Sequence, residues 1–555
     1  MHHLGDRLLL VVHVAVLRGG YGHLINAPKV VLAADELRRD RCVGSRPTAP
    51  PSRGENTGVN FAREIVDTSV PERLALVELA RDGTRREWRF GEVAERSARL
   101  AGTLRRLGVG RGDVVMTLIG NRPEWVLSML ACFRIGAVVL PCTEQLRAKD
   151  LRLRIDAVSP ALILADERNR EELQAALTGA RAAVTVAYVP DESMFSCEPA
   201  PAVDLDDDDP CLLTFTSGTA GEPKAVVHAQ RYLRGQHVQA EHWLGAREGE
   251  LVWCTAASGW SKSARNVFIA PWLSGAAALL HDARFDPHER LELLERERVN
   301  VLCMAPTEYR VIAKRAALRP FAQLRGMVAA GEALNPEVLR AWHEATSLEI
   351  RDGYGQTETG QTTGTPPGEA ARPGSMGRAL PGIRLAVVDG ELTIDPPSVP
   401  TFFLGYLGEH VRRMEDGAWH IDDRQRSGSA HPWQTGDRVA EDDDGWLYFE
   451  GRSDDVIVSA GYRIGPFEVE SALVAHPAVA EAAAVAAPDE ERGSVVRAVV
   501  VLRDSGYAPS PELARELQEH VKRETAPYKY PRIVEFAEEL PKTASGKIRR
   551  AELRG

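Results

Sequence analysis

From Phe61 onward the chain alternates short apolar runs with segments whose apolar residues recur at helical spacing. Over 91–107 the residues Val93, Ala94, Ala98, Leu100, Ala101 and Leu104 share one face, and Gly108 supplies a stop signal, so the spacing predicts a helix. Residues 114–119 read as a short buried strand, 125–135 as a helix, and 137–140 as another strand running into Pro141. The alternation continues through 161–164, 184–189 and 299–304, which predicts an α/β fold with parallel sheets. After Gly451 the texture changes. A polar, loop-rich stretch at 454–468 leads into a helix carrying Val469, Leu473 and Val474, and β-rich runs follow at 479–486 and 495–502. Residues 511–525 read as an amphipathic helix with Pro511 at its start. That is a small α+β domain of about 100 residues. The expected organisation is an unassigned extension at 1–57, a large domain of layered β-sheets and helices at 58–452, and a small C-terminal domain at 453–555.

The 555 residues leave room for two to four domains, and 44% hydrophobic with 26% charged is globular composition. A net charge of −11 argues against a nucleic-acid platform. The seven cysteines have no CxxC spacing, so neither a zinc site nor a disulfide framework is expected, and a reducing, cytoplasmic setting is. Residues 8–17 are apolar apart from His13, far short of the ~20 needed to span a bilayer, and no small-x-small cleavage site follows. No membrane span is therefore expected. The acidic run 204–209 reads as a solvated connector. Nothing in the residues specifies an oligomeric state.

The densest chemistry lies at 214–224, Thr-Phe-Thr-Ser-Gly-Thr-Ala-Gly-Glu-Pro-Lys. Glycine lets backbone N–H groups approach an anion, hydroxyls add donors and lysine adds charge, so the run reads as a polyphosphate cradle. It is not a Walker A loop, because Ala225 stands where that motif needs Ser or Thr, and 225–228 reads as a strand. Further motifs follow in order: Gly331-Glu332-Ala333, Asp352-Gly353-Tyr354-Gly355-Gln356-Thr357-Glu358, Thr435-Gly436-Asp437, Gly451-Arg452-Ser453-Asp454-Asp455, Ser459-Ala460-Gly461-Tyr462-Arg463, and Pro541-Lys542-Thr543-Ala544-Ser545-Gly546-Lys547.

With these motifs in this order the chain resembles the acyl-adenylate-forming (AMP-binding) superfamily, most of all its medium-chain acyl-CoA synthetase branch, from Asn60 to the C-terminus. The resemblance implies an acid–thiol ligase: a carboxylate and ATP give acyl-AMP and pyrophosphate, and the acyl group then passes to coenzyme A. It implies that Thr216, Ser217, Gly218, Thr219, Ala220, Gly221 and Lys224 hold the triphosphate. Gly331, Glu332, Ala333, Asp352, Gly353 and Tyr354 would wall the adenine pocket, with Gly355 and Gln356 completing the ATP site. Thr357 would contact the α-phosphate region, and Glu358 would ligate Mg²⁺, a hard cation suited to oxygen ligands shared with phosphate. Asp437 would bind the ribose diol, with Arg452 nearby. Lys547 would meet the charge developing between carboxylate and α-phosphate. Asp454 stands at the hinge about which the small domain is expected to rotate between half-reactions.

For coenzyme A the resemblance nominates Gln145, Gly461, Tyr462, Arg463, Arg492, Lys522 and Tyr530. For the acyl pocket it nominates Trp260, and it gives Gly355 the slot that a tryptophan blocks in acetate-selective relatives, so a medium-chain or aromatic acid is expected. Residues 256–266 carry no acidic side chain to pair an amino acid's ammonium, which argues against a peptide-synthetase adenylation domain. Two other readings stay open here: an acyl-adenylate donor to a carrier-protein pantetheine, and a catalytically silent binding protein of the same fold. Acetylation of Lys547 would remove its charge and switch off adenylation.

Overall fold

The computed structural model describes residues 58–181, 183–216, 223–332, 334, 336–414, 417–422, 431–459, 462–489, 492–503, 506–542 and 547–554. Two seven-stranded sheets dominate the large domain. In one, strands Ile350–Gly353, Gly326–Ala330, Val301–Met304, Leu251–Cys254, Ala277–His281 and Leu74–Leu79 lie side by side in parallel, and Arg85–Arg89 closes the edge as an antiparallel hairpin partner. In the other, Pro210–Phe215, Val138–Cys142, Val114–Leu118, Leu162–Asp166 and Thr185–Val189 are parallel. Ala225–Ala229 and Gly405–Tyr406 extend that sheet antiparallel. The parallel expectation therefore holds for the sheet centres and gives way at the edges, where a tight hairpin needs no crossover.

The helix predicted at 91–107 runs Phe90–Arg106 and the one at 125–135 runs Pro123–Ile135, with Pro123 at the N-terminus where its missing N–H is harmless. Every residue of the second helix but Glu124 is buried. An all-round apolar helix belongs in an interior, and this one shares a core with residues from both sheets. A four-stranded antiparallel sheet (Leu385–Val388, Glu391–Ile394, Trp433–Glu441, Leu447–Arg452) leads to the C-terminal domain. There Val479–Asp489 and Gly493–Leu502 pair antiparallel and Ile533–Phe536 joins in parallel, while helices Pro466–Ala475 and Pro511–Glu524 pack to form a separate core.

The acidic run at 204–209 is not merely solvated. Asp204 pairs with Arg63 at 2.6 Å, Asp208 with Arg231 at 2.9 Å, Asp209 with Arg111 at 2.5 Å, and Asp207 with Arg234. The connector is pinned to neighbouring elements by arginines distant in sequence, which no local pattern reveals. Among the described residues, no helix is long and apolar enough to cross a membrane.

Candidate functional site

A cleft of about 2140 Å³ opens at the C-terminal ends of the parallel strands and is roofed by the small domain. Ligands of open α/β sheets bind at that edge, because the loops leaving the strands diverge there.

The two ends of the polyphosphate run are clamped together. Thr216 N–H donates to the Lys224 carbonyl at 2.9 Å, and Lys224 N–H donates to Thr216 Oγ1 at 3.0 Å. The Lys224 ammonium pairs with Glu409 at 2.8 Å and lies 4.8 Å from the centre of the Tyr406 ring. Ser217, Gly218, Thr219, Ala220 and Gly221 lie outside the described residues, as does Ala333.

The segment after strand Ile350–Gly353 supplies one wall. Strands Gly355–Gln356 and Gly360–Gln361 form a short hairpin that projects Tyr354, Gln356, Thr357 and Glu358 toward the cleft. Glu358 is buried, and its Oε1 accepts the Tyr406 hydroxyl at 2.8 Å. Asp437, 4% exposed, accepts the Tyr354 hydroxyl and Gln356 Nε2 (2.9 Å), and Arg452 Nε stands 3.5 Å from its other oxygen. Gln356 is fixed in turn by the Thr435 carbonyl at 2.7 Å and by Trp433 Nε1 at 3.1 Å. Burial raises the Asp437 carboxyl above the ordinary range, with the Tyr354 hydroxyl, Arg452 and Gln356 opposing. Burial likewise pushes Asp352 up to about 8, against the Gly353 N–H that it accepts and the Lys262 charge. Glu332 accepts the Thr307 hydroxyl at 2.7 Å.

Lys547 reaches the same cleft from the small domain. Burial and Lys262 lower its ammonium below the usual lysine range, while Glu332 and Asp437 pull the other way. Charges from both domains therefore share one cleft. Asp454, beside the domain junction, lies 3.4 Å from Arg452 Nε.

Trp260 lines the cleft behind a tight approach at Gly259. Gly259 has φ +89°, and a Cβ there would strike the Cys142 and Thr143 backbone, so only glycine carries the chain past that strand end. Gly355 lines the cleft, and a Cβ there would meet the Gly360 carbonyl, so the hairpin pairing itself demands glycine.

The coenzyme A candidates do not all come together. Among the described residues, Gln145 lines the cleft, whereas Tyr462, Arg492, Lys522 and Tyr530 do not. Tyr462 stacks on Tyr528 with ring centres 4.4 Å apart and is 52% exposed, and Lys522 Nζ sits 4.2 Å from the Tyr530 ring centre. Gly461 and the Arg463 side chain lie outside the described residues. Sequence reasoning missed Tyr406, Trp433 and the cations Lys262 and Arg265, all of which line the cleft. Lys262 and Arg265 stood within the stretch beside Trp260, read only for its lack of acids.

Residues 64–407 match the AMP-binding enzyme family and 468–547 match the AMP-binding enzyme C-terminal domain. An uncharacterised acyl-CoA ligase of Bacillus subtilis is 38% identical, over 87% of this chain and 93% of that protein. Human mitochondrial acyl-coenzyme A synthetase ACSM4 is 37% identical, over 89% of this chain and 90% of its own length. The solved structure of a benzoate CoA ligase from Burkholderia xenovorans superposes with a TM-score of 0.77 at 28% identity, covering 90% of this chain and 100% of that one. A two-part family match in chain order, set on this cleft, gives the conclusion: the chain belongs to the AMP-binding enzyme family, within its acyl-CoA ligases.

Proposed function

We propose that this chain activates a medium-chain or aromatic carboxylate with ATP and transfers the acyl group to coenzyme A. The observation that carries the reading is the convergence of Lys547 from one domain with Asp437 and Glu358 from the other on a single cleft. Asp437, held by three donors, is an acceptor pair suited to a vicinal diol. The half-buried Lys547 would stabilise negative charge building between the attacking carboxylate and the α-phosphate, where exclusion of water strengthens its effect. The clamped turn from Thr216 to Lys224 would receive the triphosphate.

The donor set fits Mg²⁺. The described residues hold no group of three or more His, Cys, Asp or Glu that could cage a metal, and Mg²⁺ characteristically uses one or two carboxylates together with substrate phosphates. Glu358, positioned by Tyr406, would hold it, and its charge would favour departure of pyrophosphate.

The separation of Gln145 from Tyr462, Lys522 and Tyr530 supports a reading in which this arrangement serves adenylation. Rotation about Asp454 would then bring the tyrosine-bearing face to the cleft for thioester formation. We place the domain boundary at 452–453 on the same grounds. Among the described residues six cysteines are free and buried, which supports a reducing, cytoplasmic setting.

The test is AMP formation with ATP, Mg²⁺ and coenzyme A over acetate, octanoate, dodecanoate and benzoate. Coenzyme-dependent turnover with octanoate or benzoate above acetate is expected. Pyrophosphate release without an acyl-CoA product would assign the thiol to a carrier protein, and no turnover with any acid would overturn the ligase reading.

A further inference from the structure

The wall that follows Trp260 carries two cations and no acid between residues 256 and 266. Lys262 Nζ donates to the Ala330 carbonyl at 3.1 Å, so that charge is partly satisfied by the strand end. Arg265 is different. It lines the cleft, is 4% exposed, and no carboxylate pairs with it among the described residues. Its guanidinium meets the Tyr232 hydroxyl, yet Nε and one terminal nitrogen have no hydrogen-bond partner. That terminal nitrogen stands 3.5 Å from the point where a Cβ of Gly360 would sit, beside the hairpin that carries Gly355. The next residue repeats the pattern. Asn266 also lines the cleft and is fully buried; its Oδ1 accepts Gln239 Nε2 at 3.1 Å, while its Nδ2 has no acceptor.

The unmatched groups of both residues are donors. A buried guanidinium without a counter-charge is costly, and an alkyl chain end lying against it would leave it so. A carboxylate would not, because its two oxygens match the planar fork of arginine. We propose that the acid activated here carries a second carboxylate that is received by Arg265 and Asn266. The proposal rests on the ligase reading and narrows its substrate class from medium-chain or aromatic acids to their dicarboxylic counterparts.

Matched pairs test it: hexanoate against adipate, octanoate against suberate, and benzoate against terephthalate, assayed by AMP formation with wild type, Arg265→Leu and Arg265→Lys. The expected result is a wild-type kcat/KM about tenfold or more higher for at least one dicarboxylate than for its partner, because a site built of polar groups rejects the analogue that leaves them unpaired. Arg265→Leu should bring that ratio down to about one, and Arg265→Lys should lower it by less. Equal loss on both members of each pair would place Arg265 at the reacting carboxylate or in the scaffold and overturn the proposal. Turnover confined to monocarboxylates in wild type overturns it even if the variants fail to fold. Absence of turnover with every acid overturns the ligase reading, and this proposal with it.

Discussion

Two sets of residues around the hairpin Gly355–Gln361 treat charge in opposite ways. In the first, each charged group already has partners: Asp437 holds Tyr354, Gln356 and Arg452, Glu358 holds Tyr406, and Lys224 holds Glu409. In the second, Nε and one terminal nitrogen of Arg265 and Nδ2 of Asn266 are buried without a hydrogen-bond partner. Groups held by their neighbours are pre-organised and need little rearrangement when charge develops beside them, which suits a step common to every substrate. Unmatched donors discriminate among ligands, since only a ligand with the right acceptors satisfies them. The contrast thus separates the part of the site that performs the shared chemistry from the part that selects the acid.

The sharpest way to break this contrast is to remove the charge that joins the domains. Lys547→Ala should lower acyl-AMP formation by on the order of 10²–10³, the scale for losing one electrostatic stabiliser. Supplied acyl-AMP should still be converted to thioester, because the proposed role ends with adenylation. Loss of both half-reactions would make the lysine structural and leave the pre-paired set without its catalytic cation. Asp454→Pro should do the reverse. Proline fixes φ and restricts the residue before it, so rotation about the junction should be impeded. Thioester formation should fall by about a hundredfold with adenylation spared; equal loss in both would remove the hinge from Asp454.

A smaller effect tests whether the pairing matters at all. Tyr406→Phe removes the hydroxyl that Glu358 accepts at 2.8 Å. A hydrogen bond to a charged group contributes about 1.5–3 kcal/mol, so a loss of roughly tenfold or more in kcat/KM, with a raised Mg²⁺ requirement, is expected from steady-state assays over a Mg²⁺ series. An unchanged Mg²⁺ requirement would show that Glu358 needs no positioning.

These cases also show where sequence reading reached and where it stopped. Tyr354, Gln356 and Glu358 stood in one contiguous motif shaped by a short hairpin, and Asp437 in another, which one strand pairing sets opposite Arg452. The helices Phe90–Arg106 and Pro123–Ile135 were legible because apolar spacing reports burial directly. Tyr406 was not, because its meeting with Glu358 depends on strand Gly405–Tyr406 adding to the edge of a sheet built from other segments. Arg265 was hidden for a different reason: an arginine in a sequence reads as exposed, and only the packed structure shows it buried. The demand for glycine at 355 was not legible either, because it comes from the hairpin strand opposite, whose register is a tertiary property.

The mildest perturbation is at Asp352. Its carboxyl is pushed up to about 8 by burial, from an ordinary value near 3.8. A group whose folded pKa lies above its unfolded one binds more protons in the native state throughout that window. Stability is therefore greatest below the unfolded value and falls as pH rises toward about 8. The slope from one such group is at most about 1.4 kcal/mol per pH unit. Asp352→Asn keeps an oxygen to accept the Gly353 N–H and removes the titration. Denaturant midpoints at pH 5, 6.5 and 8 should thus show the variant gaining on wild type as pH increases. A constant difference would mean that Lys262 holds Asp352 ionised throughout, and the cations of the Trp260 wall would then extend their influence into the pre-paired set rather than stopping at Arg265.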